Sequence, residues 1–132
     1  MRRVLVDTSA YSAFMRDHPA AKEAIQRADE ILLTPVVLGE LLAGFLRAKQ
    51  REKNERELRA FLASPRASIV AVDAETAARY AAIVAALWKA GTPIPTNDIW
   101  IAASAMQHGA RVLTTDGHFL EVPQVMVDHI AG

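Results

Sequence analysis

Along this chain, short unbroken apolar runs trade places with longer stretches of helical period. The first run, Val4-Leu5-Val6, is aliphatic and closes on a carboxylate at Asp7. A run without polar alternation predicts a strand buried on both faces, as in a parallel sheet. Glu30–Leu33, Ser68–Ala71 and Arg111–Thr114 read the same way, and Val125–Val127 is a candidate fifth strand. Between them lie helices: TSAYSAFM from Thr8, a second from Ala20 to Ala28, and PVVLGELLAGFLRAKQ, with Thr34 as N-cap and Pro35 at the first helical position. Leu58–Ala63 is also helical. Asp73 can cap a long alanine-rich helix, Ala74–Ala90, that Gly91 and the prolines at 93 and 95 bring to an end. In PTNDIWIAASAMQHG, residues 95 to 109, Ile99, Ala102, Ala103 and Met106 fall at the i, i+3, i+4, i+7 spacing of a buried helical face.

Strands alternating with helices imply an α/β fold: a parallel sheet of four to five strands flanked by helices, doubly wound, in one domain spanning 1–132. In such folds ligands bind outside the carboxyl ends of the strands, at the switch in strand order. Four acids line up with that rule. Asp7 ends the first strand, Asp116 follows the fourth by two residues, Asp98 sits in the first turn of the helix leading into that strand, and Glu40 lies early in its own helix. Each has a plain structural reading. Asp7 can cap the helix that begins near Ser9, and Asp98 can complement a helix N-terminus. Asp116 suits an Asp-Gly turn, and Glu40 can be a stray acid at the edge of an apolar stripe. Taken together, they converge on one pocket. Like charges a few ångströms apart repel and raise one another's pKa, and a divalent cation resolves that conflict. Carboxylates and water, without sulfur or imidazole, suit Mg²⁺ or Mn²⁺, the equipment of phosphoryl chemistry.

Composition narrows the setting. The chain has 132 residues, 52% hydrophobic and 23% charged, as a globular protein does. It contains no cysteine, which excludes disulfides, thiolate catalysis and cysteine-based zinc sites. Met1-Arg2-Arg3 resembles the start of a signal peptide, but the apolar run after it ends at Asp7. No apolar stretch approaches the roughly 18 residues of a membrane span, so a cytoplasmic protein is expected. The formal net charge is zero, yet residues 47 to 59 carry six basic and three acidic side chains. That segment is either a solvated helical arm or a basic edge, through Arg47, Lys49, Arg51 and Lys53, beside a site that handles a polyanion.

The residues also carry a family resemblance. LVDTSAYSAF, TPVVLGELLAG and TNDIWIAASAMQHGARVLTTDGHF, in this order and over nearly the whole length, resemble a PIN-domain ribonuclease of the VapC type, the toxin of bacterial toxin–antitoxin pairs. The Asn-Asp helix followed by T-x-D-x-x-F (Thr114, Asp116, Phe119) is the more specific part. The resemblance implies that Asp7, Glu40, Asp98 and Asp116 form an acidic metal site with Thr8 or Ser9 beside it. Thr114 and Asn97 would support them, Asn97 as a cap or hydrogen-bond donor. It further implies metal-dependent cleavage of RNA by an activated water, a small antitoxin partner that occludes the site, and a homodimer or toxin–antitoxin hetero-oligomer.

The same residues bear on rival readings. A haloacid-dehalogenase-type phosphatase would want an acid two residues after Asp7, where Ser9 stands, and a response-regulator receiver would want a late lysine. The remaining alternative is a PIN-like module that binds RNA or protein without cleaving. His118, two residues from Asp116, can be read as a metal ligand or a base, but the family pattern assigns it no such role and it reads as a surface histidine in its turn; His18, His108 and His129 have no site-like spacing. Trp88 and Trp100 read as core or dimer-interface packing rather than as base-stacking platforms.

Overall fold

The computed structural model describes residues 1–131. Its elements in chain order are β1 (Arg3–Val6), α1 (Thr8–Met15), α2 (Pro19–Arg27), β2 (Glu30–Leu33), α3 (Pro35–Arg47) and α4 (Arg51–Leu62). There follow β3 (Ala67–Ile69), α5 (Ala74–Ala90), α6 (Thr96–His108), β4 (Arg111–Thr114), a short 3-10 helix (Gly117–Glu121) and β5 (Met126–His129). All strand pairings are parallel, and the order across the sheet is β3-β2-β1-β4-β5. The chain thus starts in the middle, adds β2 and β3 on one side, and crosses back through α5 and α6 to add β4 and β5 on the other. The switch in strand order falls between β1 and β4.

Local chemistry explains most element ends. The Thr34 hydroxyl accepts from Val37 N at the start of α3, and Asp73 forms a capping box with Thr76 at the start of α5. Gly91 and Gly109 end α5 and α6 at φ of 70° and 60°, the left-handed conformation that glycine adopts without a Cβ clash. Arg66, just before β3, donates from Nη1 to the carbonyls of Ile25 and Ala28, at 3.0 and 2.7 Å, and so satisfies the end of α2. The core joins Val4, Leu5 and Val6 of β1 to Leu33, Val112 and Leu113 on neighbouring strands, with Ile83, Ile101 and Phe119 from outside the sheet.

Several expected boundaries are corrected. The helix after Thr34 does not run through Gln50; α3 stops at Arg47, and Ala48 is extended. Its buried stripe of Val37 and Leu41, continued by the partly buried Phe45, would meet Ala48 and Glu52 next, so nothing remains to bury in that direction. The chain turns instead, and α4, one helix rather than a charged arm followed by a short one, buries Leu58. β3 spans Ala67–Ile69 rather than Ser68–Ala71, and β5 is displaced from Val125–Val127 to Met126–His129, where Thr114 pairs with His129. α2 begins one residue early, with Pro19 at its first position. Trp88 is not core: it is 78% exposed. Trp100 stacks on Tyr80 with ring centroids 4.1 Å apart. Among the described residues no helix is long and apolar enough to cross a membrane.

Candidate active site

Because β1 and β4 are neighbours, the residues that follow them share one crevice. Asp7 directly follows β1 and is the N-cap of α1. Its Oδ1 accepts from Ala10 N and Ser9 Oγ, each at 2.8 Å, and its Oδ2 accepts from Thr114 Oγ1 at 2.7 Å. The capping and site readings of Asp7 therefore coincide: capping fixes the carboxylate in place. Burial pushes its pKa above the usual carboxylate value, and these hydrogen bonds only oppose that shift; the nearby charge of Asp98 adds to it. The two hydroxyls also tie the strand ends together, since Ser9 Oγ accepts from Thr115 N at 3.0 Å and Thr114 Oγ1 accepts from Asp116 N at 2.8 Å.

Glu40 reaches the same region from α3. Thr8 Oγ1 donates to its Oε1 at 2.7 Å, and Asn97 Nδ2 donates to its Oε2 at 3.4 Å. Thr8 and Ser9 therefore both serve the site, one holding Glu40 and the other Asp7. Asn97 is a hydrogen-bond donor to a neighbouring acid, not a helix cap. Asp98 makes no capping bond either: the N-cap position of α6 is Pro95, with no side-chain cap. The Asp98 side chain is 15% exposed and lies 3.0 Å from His118 Nδ1. Burial pushes its pKa up, the charges of Asp116 and Glu40 push further, and His118 opposes them.

Asp116 caps the 3-10 helix through His118 N, at 2.9 Å, and its Oδ1 lies 3.0 Å from His118 Nδ1. Phe119, fully buried, anchors the turn that carries both side chains. His118 corrects the sequence reading. Half of its side chain is exposed, as a surface histidine's would be, but its ring is wedged between two site carboxylates. Its hydrogen bond to Asp98 and the two negative charges raise its pKa above the ordinary histidine value. The position two residues after Asp116 was the only hint in the sequence; the approach of Asp98 is tertiary.

Among the described residues, one ligating atom each from Asp98, Asp116 and His118 lie within 4.8 Å of one another, with Asp7 and Glu40 outside that triad. Among the described residues, no lysine or arginine forms an ion pair with Asp7, Glu40, Asp98 or Asp116. A partly buried cluster of acids paired with an imidazole rather than with lysine or arginine has the donor chemistry of a divalent cation site. The basic candidates are not drawn into it. Arg47, Lys49, Arg51 and Lys53 are exposed at the α3–α4 turn, and Arg51 pairs with Glu55 at 3.3 Å. Arg47 lies seven residues from Glu40, hence on the same side of α3 and about 10 Å along its axis.

Carboxylates gathered at the switch point of a parallel sheet, with a histidine but, among the described residues, no lysine or arginine paired to them, define an α/β protein that presents acids at its strand ends. Residues 4–125 match the family described as PIN domain, and the chain belongs to that family. It is 33% identical to the protein named Ribonuclease VapC4 of Mycobacterium tuberculosis, over 96% of each chain. The crystal structure of DNA-bound VapBC from Salmonella typhimurium superposes with a TM-score of 0.85 at 22% identity, over 98% of each chain. FitAcB of Neisseria gonorrhoeae does so at 0.75 and 26%, over 94% of this chain and 95% of that one.

Proposed function

We propose that the chain is a metal-dependent endoribonuclease and the toxin of a toxin–antitoxin pair, acting in the cytoplasm on phosphodiester bonds of RNA. The observation that carries the reading is the set of four acids at the β1–β4 crevice without a lysine or arginine, among the described residues, to neutralise them. A bound Mg²⁺ or Mn²⁺ would supply the positive charge that offsets the phosphate and the acidity that makes water a nucleophile at neutral pH. Asp98 and Asp116 would hold it, with Glu40 and Asp7 completing the negative field. The hydroxyls of Ser9, Thr114 and Thr8 fix two of the carboxylates in advance, so little reorganisation accompanies substrate binding. Hydrolysis then joins water oxygen to phosphorus as the phosphorus–oxygen bond to the leaving nucleotide breaks.

An antitoxin partner is supported by a groove between α1, α3 and α4. Tyr11, Met15, Leu41 and Phe45 line it. The polyanion contacts are assigned to Arg47, Lys49, Arg51 and Lys53.

The test is Asp98→Asn in purified protein. It is expected to abolish RNA cleavage and to remove the rise in melting temperature that Mn²⁺ gives the wild type, a gain of about 2.7 kcal/mol at 100 times Kd. Cleavage at the wild-type rate would sink the metal-site reading. Wild-type protein that binds RNA and Mn²⁺ yet leaves the RNA intact would favour the silent binding module.

A further inference from the structure

We propose that His118 is itself a ligand, through Nδ1, to the divalent ion held by Asp98 and Asp116, and that this nitrogen biases the site towards Mn²⁺ over Mg²⁺. The inference rests on the metal site proposed above and adds to it a residue that the four-acid reading leaves out.

The geometry of the triad carries it. His118 Nδ1 stands 3.0 Å from Asp98 Oδ2 and 3.0 Å from Asp116 Oδ1. Adjacent donors around an octahedral ion with bonds of about 2.1 Å are separated by about 3.0 Å, the bond length times the square root of two. Hydrogen bonding accounts less well for the pair of equal distances. A proton on Nδ1 could serve both oxygens only as a three-centre bond, and only the Asp98 contact meets hydrogen-bond geometry. The ring is also oriented from behind, because the His118 backbone N–H is bound to Asp116 Oδ1 at 2.9 Å and the neighbouring Phe119 is fully buried. An imidazole placed this way needs no reorientation when an ion arrives, only the loss of the Nδ1 proton it donates to Asp98.

The consequence is selectivity. Mg²⁺ is hard, prefers oxygen and keeps its waters, whereas imidazole nitrogen suits the transition metals, whose affinities for nitrogen sites rise above that of Mg²⁺. With carboxylates alone, the site would discriminate little between Mg²⁺ and Mn²⁺. A nitrogen in the coordination sphere tilts it.

Electron spin-echo spectroscopy of the full chain loaded with Mn²⁺ reads this directly, since a directly bound imidazole imposes nitrogen-14 modulation on the manganese signal. The wild type is expected to show that modulation and His118→Ala to lose it, while the variant keeps its circular dichroism spectrum and still binds Mn²⁺. The ratio of Mn²⁺ to Mg²⁺ affinity, measured by calorimetry, is expected to fall about tenfold in the same variant. Wild-type protein that binds Mn²⁺ without nitrogen modulation would overturn the assignment and leave the carboxylate site standing. Modulation that persists in His118→Ala would overturn it too. If the wild type binds no Mn²⁺ at all, the metal-site reading itself falls, and the assignment with it.

Discussion

Asp98 illustrates how much a single side chain asks of its surroundings. Burial and two neighbouring acids disfavour its ionised form, and only His118 relieves it. The pH dependence of stability follows from the signs. Asp7 and Asp98 have folded-state pKa values raised above 3.8, so each binds its proton more tightly in the folded protein. Their stabilising contribution is complete below 3.8 and lost as pH rises through the raised values. His118 is raised above 6.5, and its imidazolium stabilises the fold fully below 6.5 and progressively less as pH rises through its higher folded value. All three therefore act in the same direction. Urea unfolding in the presence of a chelator is expected to show stability falling as pH rises past 6.5, and His118→Ala is expected to flatten that part of the curve. A wild-type profile that stays level there, or one that His118→Ala leaves unchanged, would refute the coupling. Asp7 was legible in the sequence as an acid that ends an apolar strand, whereas Glu40, Asp98 and Asp116 each had an ordinary helix or turn reading and stood out only in its company. His118 was not legible, since its meaning depends on Asp98, twenty residues away along the chain.

At the scale of elements, the turn after β4 matters most, because it carries Asp116 and His118 on five residues of 3-10 helix and its cap. Its own hydrogen bonds are few, and what holds it is Phe119, 0% exposed among core side chains. Phe119→Ala is expected to cost about 3–5 kcal/mol by the usual figure for an aromatic truncated in a core. It is also expected to weaken Mn²⁺ binding, since the turn that positions two ligating atoms loses its anchor. Urea denaturation and a Mn²⁺ titration measure the two effects separately; intact Mn²⁺ affinity in a variant that has lost this stability would show that the turn needs no anchor. Element ends were readable wherever a capping residue or a glycine marked them, as at Thr34, Asp73, Gly91 and Gly109. They were misread where tertiary packing decided: α3 stops at Arg47 because its buried stripe runs out, although helix-forming residues continue through Gln50.

For the molecule as a whole, strand order is the decisive fact that periodicity cannot supply. The apolar runs mark strands and place acids at their ends, but only the order β3-β2-β1-β4-β5 puts the end of β1 beside the end of β4, and with them Asp7 beside Thr114. Chain order and family likeness imply the same grouping. Charge presents the opposite case. The formal net charge is zero, so no global field draws the protein to RNA, and the acidic crevice repels phosphate until a cation occupies it. Attraction must then come from a local track, and the exposed cations of the α3–α4 turn begin on the same side of α3 as Glu40. Arg51 is the informative member, because its partner Glu55 is on the same helix and the ion pair is solvent-exposed. Arg51→Glu is therefore expected to leave the fold and Mn²⁺ affinity unchanged while weakening RNA binding. Every phosphate that a cation neutralises on a single strand adds about 0.7 to the steepness of log affinity against log salt. Binding titrations of the variant across a salt series should show a slope shallower by at least that amount. An unchanged slope would remove the α3–α4 turn from the RNA path and leave the crevice, with its ion, to bind the backbone alone.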